Sequence, residues 1–156
     1  MMYNYSDFSK DFVKRTKENM ECIEQTRKPK YETTCLINMC LGLIAVPDQF
    51  LCHSSRKGAD EIFTNISDFG LCDSNIIRIR GDKSVENILH HLRNGLMHGH
   101  IEQQINDREQ IVGLRIKDVD KKGYAHTIIE LRVEQLQKFA LAIADAYCET
   151  FPNANE

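Results

Sequence analysis

The sequence predicts a mainly α-helical bundle with a small antiparallel β-hairpin or three-stranded meander placed before its C-terminal helix. Three observations predict it. Apolar residues recur at helical spacing in several long stretches. Two stretches between 111 and 133 alternate as half-buried strands do. The 156 residues, 42% of them apolar, contain no repeat, low-complexity tract or linker, so one domain over residues 1–156 is expected, with a polar tail from about 152.

The first helix should be capped by Ser6 or Asp7 and run to about Arg27, since Phe8, Phe12, Val13, Met20 and Ile23 recur near helical period before Pro29. A second starts near Tyr31 and is apolar on nearly all sides from Cys35 to Ile44, the pattern of the most buried helix of a bundle. Pro47 and Asp48 are expected to open a connection whose middle, Cys52 to Asp60, is small, polar and basic, and forms a mobile loop. A short helix from about Asp60 to Asp68 should follow, and Ile76 to Arg80 alternates weakly before Gly81.

From Ser84 the period is clear. Val85, Ile88, Leu89, Leu92 and Leu96 share one face of a third long helix that ends near Gly99. Ile111 to Asp118 and Tyr124 to Val133 read as strands around the turn-forming Asp120-Lys121-Lys122-Gly123, with Ile101 to Ile105 as a third strand. The last helix, Val133 to about Phe151, places Leu136, Phe139, Ala140, Ile143, Ala144 and Tyr147 on one stripe.

Composition excludes several functions. A net charge of −3 is wrong for a protein that coats nucleic acid by bulk charge. The longest apolar run, Cys35 to Val46, is well short of the roughly 20 residues a membrane span needs. Met1 to Phe12 carries Asp7, Lys10 and Asp11 where a secretory leader would be apolar, so a cytoplasmic protein is expected. The 6 cysteines are scattered with no Cys-x-x-Cys, which points to reduced, buried thiols and away from structural zinc held by cysteine.

The chemically unusual stretch is His90-His91-Leu92-Arg93-Asn94-Gly95-Leu96-Met97-His98-Gly99-His100. At about 100° per residue, Arg93, Asn94 and His98 share the arc opposite the leucines. Such an arc is ordinarily a solvated face. A chain of this composition carries about 0.35 Arg-x4-His pairs by chance, so the spacing alone is weak. Asn94 directly after Arg93, and Gly95 inside the helix at a cost of about 1 kcal/mol relative to alanine, add weight. Gly95 either admits a ligand or chain to the backbone or permits tight helix packing, and Gly99 either follows a functional histidine or merely ends the helix.

Leu92-Arg93-Asn94-Gly95-Leu96-Met97-His98-Gly99 resembles the Arg-Asn-x-x-x-His form of the Arg-x4-6-His motif of HEPN (higher eukaryote and prokaryote nucleotide-binding) proteins. Tyr31 to Ile44 followed by Pro47 is similar to a second signature of a bacterial, often plasmid-borne, HEPN branch, and the resemblance spans about Phe8 to Phe151. It implies a HEPN-like helical bundle and a metal-independent endoribonuclease, active as a homodimer that joins two motifs in one cleft, in a toxin or phage-defence role. In that reading His98 is general base or acid, Arg93 forks onto the scissile phosphate, Asn94 orients it, and the RNA 2′-hydroxyl is the nucleophile. The partners implied are RNA, a second copy and an antitoxin or regulatory protein, with no cofactor.

HEPN toxins paired with a nucleotidyltransferase antitoxin often have Tyr two positions after the motif histidine; here that position is His100, so silencing by tyrosine modification is not expected. His100 either extends the acid/base set or begins a strand. A metal site among His90, His91, His98 and His100 is disfavoured, because adjacent histidines project about 100° apart on a helix and no His-Glu-x-x-His or suitably spaced carboxylate accompanies them. Arg78, Arg80 and the basic residues of the 52–60 loop are candidate RNA-backbone contacts, with solvated charge as the plainer reading. Residues 76–100 hold 4 basic and 2 acidic side chains, a net +2 beside the histidine cluster. The rival reading is a catalytically inactive HEPN-like dimerisation or nucleotide- or RNA-binding module.

Overall fold

Helix α1 (Phe8–Thr26) and helix α2 (Glu32–His53) are followed by two single 3-10 turns, Ile66–Phe69 and Asp73–Asn75, and by strand β1 (Ile76–Arg78). Helix α3 (Val85–Met97) then leads into β2 (Ile101–Ile105), β3 (Ile111–Val119) and β4 (Ala125–Arg132), and α4 (Val133–Thr150) follows without a loop. This is a computed structural model, which describes residues 8–26, 32–53 and 65–150.

The strands form one antiparallel sheet in the order β1-β4-β3-β2. The expected meander is present as β2-β3-β4. It gains a fourth strand from the weakly alternating segment at Ile76, whose register pairs Ile76 with Ile129. Strand alternation sets the two faces. Leu114, Ile116, Ile129 and Leu131 are buried under the helices, whereas Arg115 pairs with Glu130 and Lys117 with Glu102 on the opposite, solvated face.

The core is shared between that sheet face and the helices. Val85, Ile88, Leu89, Leu92 and Leu96 of α3 are all buried, as are all six residues of the α4 stripe from Leu136 to Tyr147. Helix α2 packs against α1, α3 and α4, as its all-round apolar surface requires.

Three expectations need correction. Helix α2 does not stop at Pro47 but continues to His53, so the connection expected at Pro47 and Asp48 is helical. An interior proline costs about 3 kcal/mol through one lost hydrogen bond and a clash with the preceding turn, and packing of α2 on α3 and α4 outweighs it. The loop expected over 52–60 therefore loses Cys52 and His53 to the helix, and its remainder lies outside the described residues, as does most of the short helix expected from 60 to 68. The described end of that segment, Ile66–Phe69, is a 3-10 turn capped by Asn65. The cysteines are also less uniformly buried than expected: among the described residues Cys40 is buried, but Cys22 and Cys72 are exposed, and all are unbridged.

Candidate functional site

Helix α3 positions the candidate site through both of its ends. Ser84 caps the start, accepting from the Asn87 backbone N–H at 3.2 Å. At the other end the last helical residue is Met97 and His98 is the cap, close to the end expected near Gly99. Gly99 sits at φ +69°, and the backbone N–H groups of Gly99 and His100 donate to Leu96 O at 3.2 Å and Gly95 O at 2.9 Å. This double closure is the Schellman arrangement, which favours glycine at that position. It folds the chain back so that the exposed rings of His98 and His100 lie with centroids 6.0 Å apart.

Gly95 has a packing role. A Cβ there would stand 2.4 Å from Ile116 Cγ2 and 2.8 Å from Lys117 O, so the glycine lets α3 touch β3 directly. The contact seats two earlier residues of the helix, Asn94 and His91, over the end of β3.

Arg93 points to the other side, toward α2. Its Nε donates to Oδ2 of Asp48 at 2.8 Å, and His90 Nδ1 lies 3.5 Å from Oδ1 of the same carboxylate. Asp48 is fully buried while Arg93 is 31% exposed. The guanidinium is thus gripped through one nitrogen, and its terminal nitrogens take no hydrogen-bond partner among the described residues. Sequence reasoning missed Asp48 because Pro47 placed it in an expected loop.

Asn94 uses its amide nitrogen inward. It donates to Asp118 Oδ2 at 3.0 Å and approaches His90 Nε2 at 3.3 Å. Asp118 Oδ2 also lies 2.7 Å from His91 Nδ1, and His91 Nε2 donates to the Arg80 carbonyl at 2.9 Å. Burial pushes the Asp118 carboxyl up, yet hydrogen bonding with His91 and Asn94, with His126 nearby, holds it below the usual carboxylate range.

The remaining candidates are dispersed. Arg78 lies over the Tyr124 ring and donates to Tyr124 Oη at 2.9 Å and Ala125 O at 3.0 Å. Both Arg78 and Arg80 belong to the β1 side of the sheet, whereas His100 precedes β2 on the other side. Three inter-strand spacings separate those edges, about 14 Å. The structure therefore brings His100 to His98 but does not bring Arg78 or Arg80 to them.

A family model described as HEPN pEK499 p136 matches residues 2–153. The chain belongs to this family. Comparison with curated proteins and with solved structures returned no match. In this HEPN chain, helix α3 carries Arg93 and Asn94 and is capped by His98, and its polar side chains are held from both flanks, by Asp48 of α2 and Asp118 of β3. No helix among the described residues is long and apolar enough to cross a membrane.

Proposed function

We propose that this HEPN protein is a metal-independent endoribonuclease, working as a homodimer whose two α3 helices contribute to one cleft. The observation that carries the reading is the grip of the buried Asp48 carboxylate on Arg93 Nε. It fixes the direction of a guanidinium whose far edge has no hydrogen-bond partner among the described residues and can offer two parallel hydrogen bonds to a phosphate.

The chemistry asks for little more. One histidine takes the proton of the 2′-hydroxyl as its oxygen attacks phosphorus, a second gives a proton to the departing 5′-oxygen, and the arginines balance charge on the phosphorane. The products are a 2′,3′-cyclic phosphate and a free 5′-hydroxyl. His98 is exposed and about 7.5 Å along the helix axis from Arg93, a separation that a phosphodiester and its ribose can span. A second copy supplies the second His98, with His100 beside it. Asn94, whose amide hydrogens serve Asp118 and His90, acts by holding this face, and Arg78 and Arg80 serve as peripheral backbone contacts. The cellular setting that goes with this reading is a toxin or phage-defence system in the bacterial cytoplasm, with an antitoxin or regulator as partner.

The test is incubation of the purified protein with RNA and with DNA of the same sequence in excess chelator. RNA should be cut to cyclic-phosphate ends, DNA should survive, and His98→Ala and Arg93→Ala should each abolish cleavage. RNA left intact by the wild type, or cut equally by His98→Ala, overturns the proposal. Tight RNA binding without cleavage would instead favour the binding-module reading.

A further inference from the structure

We propose that His91, Asp118 and His126 form a binding site for one divalent transition cation of the zinc class, separate from the phosphate-facing residues Arg93 and His98. The three side chains come from α3, β3 and β4, and one ligand atom from each lies within 4.8 Å of the other two. His91 and Asp118 are buried and His126 is 16% exposed.

Hydrogen-bond accounting selects the donor atoms. The Arg80 carbonyl can only accept, so His91 Nε2, 2.9 Å away, carries a hydrogen. In the neutral ring this leaves the lone pair on Nδ1, aimed at Asp118 Oδ2 from 2.7 Å. Two electron-pair donors at that distance need a cation between them, either a proton or a metal. His126 is arranged alike. Its Nδ1 lies 3.2 Å from the Thr127 hydroxyl, which can accept, and its Nε2 faces Asp118 Oδ1 from 3.8 Å.

Each histidine thus has its outer nitrogen held by an oxygen and its inner nitrogen turned to a shared carboxylate, as in sites where a second layer of hydrogen bonds fixes the ligand tautomer. The Asn94 amide supplies the matching bond to the carboxylate. Metal–ligand bonds of about 2.0–2.1 Å at tetrahedral angles put neighbouring ligand atoms about 3.4 Å apart. The observed separations of 2.7 Å to Oδ2 and 3.8 Å to Oδ1 of Asp118 lie on either side of that value, and all three ligand atoms lie within 4.8 Å of one another.

Two imidazoles and one carboxylate select zinc, cobalt or nickel over magnesium or calcium, which prefer all-oxygen shells. Three protein ligands leave a fourth position for water. None of the three residues is a motif residue, so the inference stands whether or not the protein cuts RNA.

The test is titration of tag-free, chelator-stripped full-length protein with Zn²⁺ by calorimetry and with Co²⁺ by visible absorbance. One ion per chain is expected, with affinity at least about 100-fold weaker in His126→Ala and His126→Gln and unchanged in His98→Ala/His100→Ala. His126→Gln retains a polar side chain of similar length, which keeps the test valid if the alanine variant unfolds. No uptake by the wild type means that the three groups are joined by a proton and overturns the proposal. Uptake that survives both His126 variants, or that is lost with His98 and His100, overturns it equally.

Discussion

The amide of Asn94 donates to Oδ2 of Asp118 across 3.0 Å, and this bond joins the motif face of α3 to the buried end of β3. The same carboxylate oxygen lies 2.7 Å from His91 Nδ1. One side chain on the sheet therefore fixes two positions on the helix. A buried carboxylate satisfied in this way stabilises only while its partners remain, because the desolvation cost persists when they are removed.

Removing Asp118 should cost much more than removing Asn94. Asp118→Ala leaves the buried His91 ring and the Asn94 amide without the carboxylate that they share, and about 3–5 kcal/mol is expected. Asn94→Ala removes one hydrogen bond to a charged group, about 1.5–3 kcal/mol. Urea unfolding of the two variants and the double variant in chelator checks this. Because the double variant has no bond left to lose, its destabilisation should fall short of the sum by about 1 kcal/mol or more. Strict additivity would show that the bond does not form in solution.

Much of the architecture is legible from period alone. The α4 stripe and the α3 face are buried as their spacing requires, and the β3–β4 hairpin alternates as read. The failures share one cause: tertiary contacts outweigh local signals. Pro47 is a helix breaker locally, yet α2 continues through it under the packing of its neighbours. His91 looks like one of a run of helical histidines, but its partner Asp118 lies 27 residues away on a strand where alternation marks only a buried position. Spacing within one helix could not reveal either aspartate that organises the candidate site.

Asp48 offers a direct test of the positioning argument. In Asp48→Asn the side chain keeps its shape but loses the charge that holds Arg93 Nε at 2.8 Å. A displacement near 1 Å of a charge-stabilising group costs up to about 100-fold in rate. On the proposed ribonuclease reading, RNA cleavage should therefore fall about 10- to 100-fold, mainly in kcat, with unchanged oligomeric state and circular dichroism. An unaltered kcat would remove Asp48 from the machinery.

The two glycines around the motif should respond differently to alanine. Gly95→Ala gains about 1 kcal/mol in helix propensity but drives a methyl to within 2.4 Å of Ile116 and 2.8 Å of a backbone carbonyl, a clash worth about 1–3 kcal/mol or more. A net loss of stability and a shift of α3 away from β3 are expected. Gly99→Ala meets nothing within 4 Å, and costs only the left-handed conformation, about 1–2 kcal/mol. Thermal melts of the two variants, with cross-peaks between Ile116 and α3 followed by NMR, separate these causes. A more stable Gly95→Ala would show that the close approach of helix and sheet is not maintained in solution.

Thiol chemistry should divide the cysteines by environment. Burial pushes the Cys40 thiol up to about 12, so at pH 8 only about one molecule in ten thousand carries the reactive thiolate there. Cys72 is exposed, and hydrogen bonding from the Ser74 hydroxyl draws its thiol below the ordinary value. Under native conditions iodoacetamide should modify Cys72 first. Cys40 should react only as fast as the α2 packing opens, and added urea should bring its rate up toward that of Cys72. Peptide mass spectrometry over a labelling time course reads both rates. Equal labelling of Cys40 and Cys72 in the folded protein would mean that α2 is not packed as described, and the placement of Asp48 beside Arg93 would fall with it.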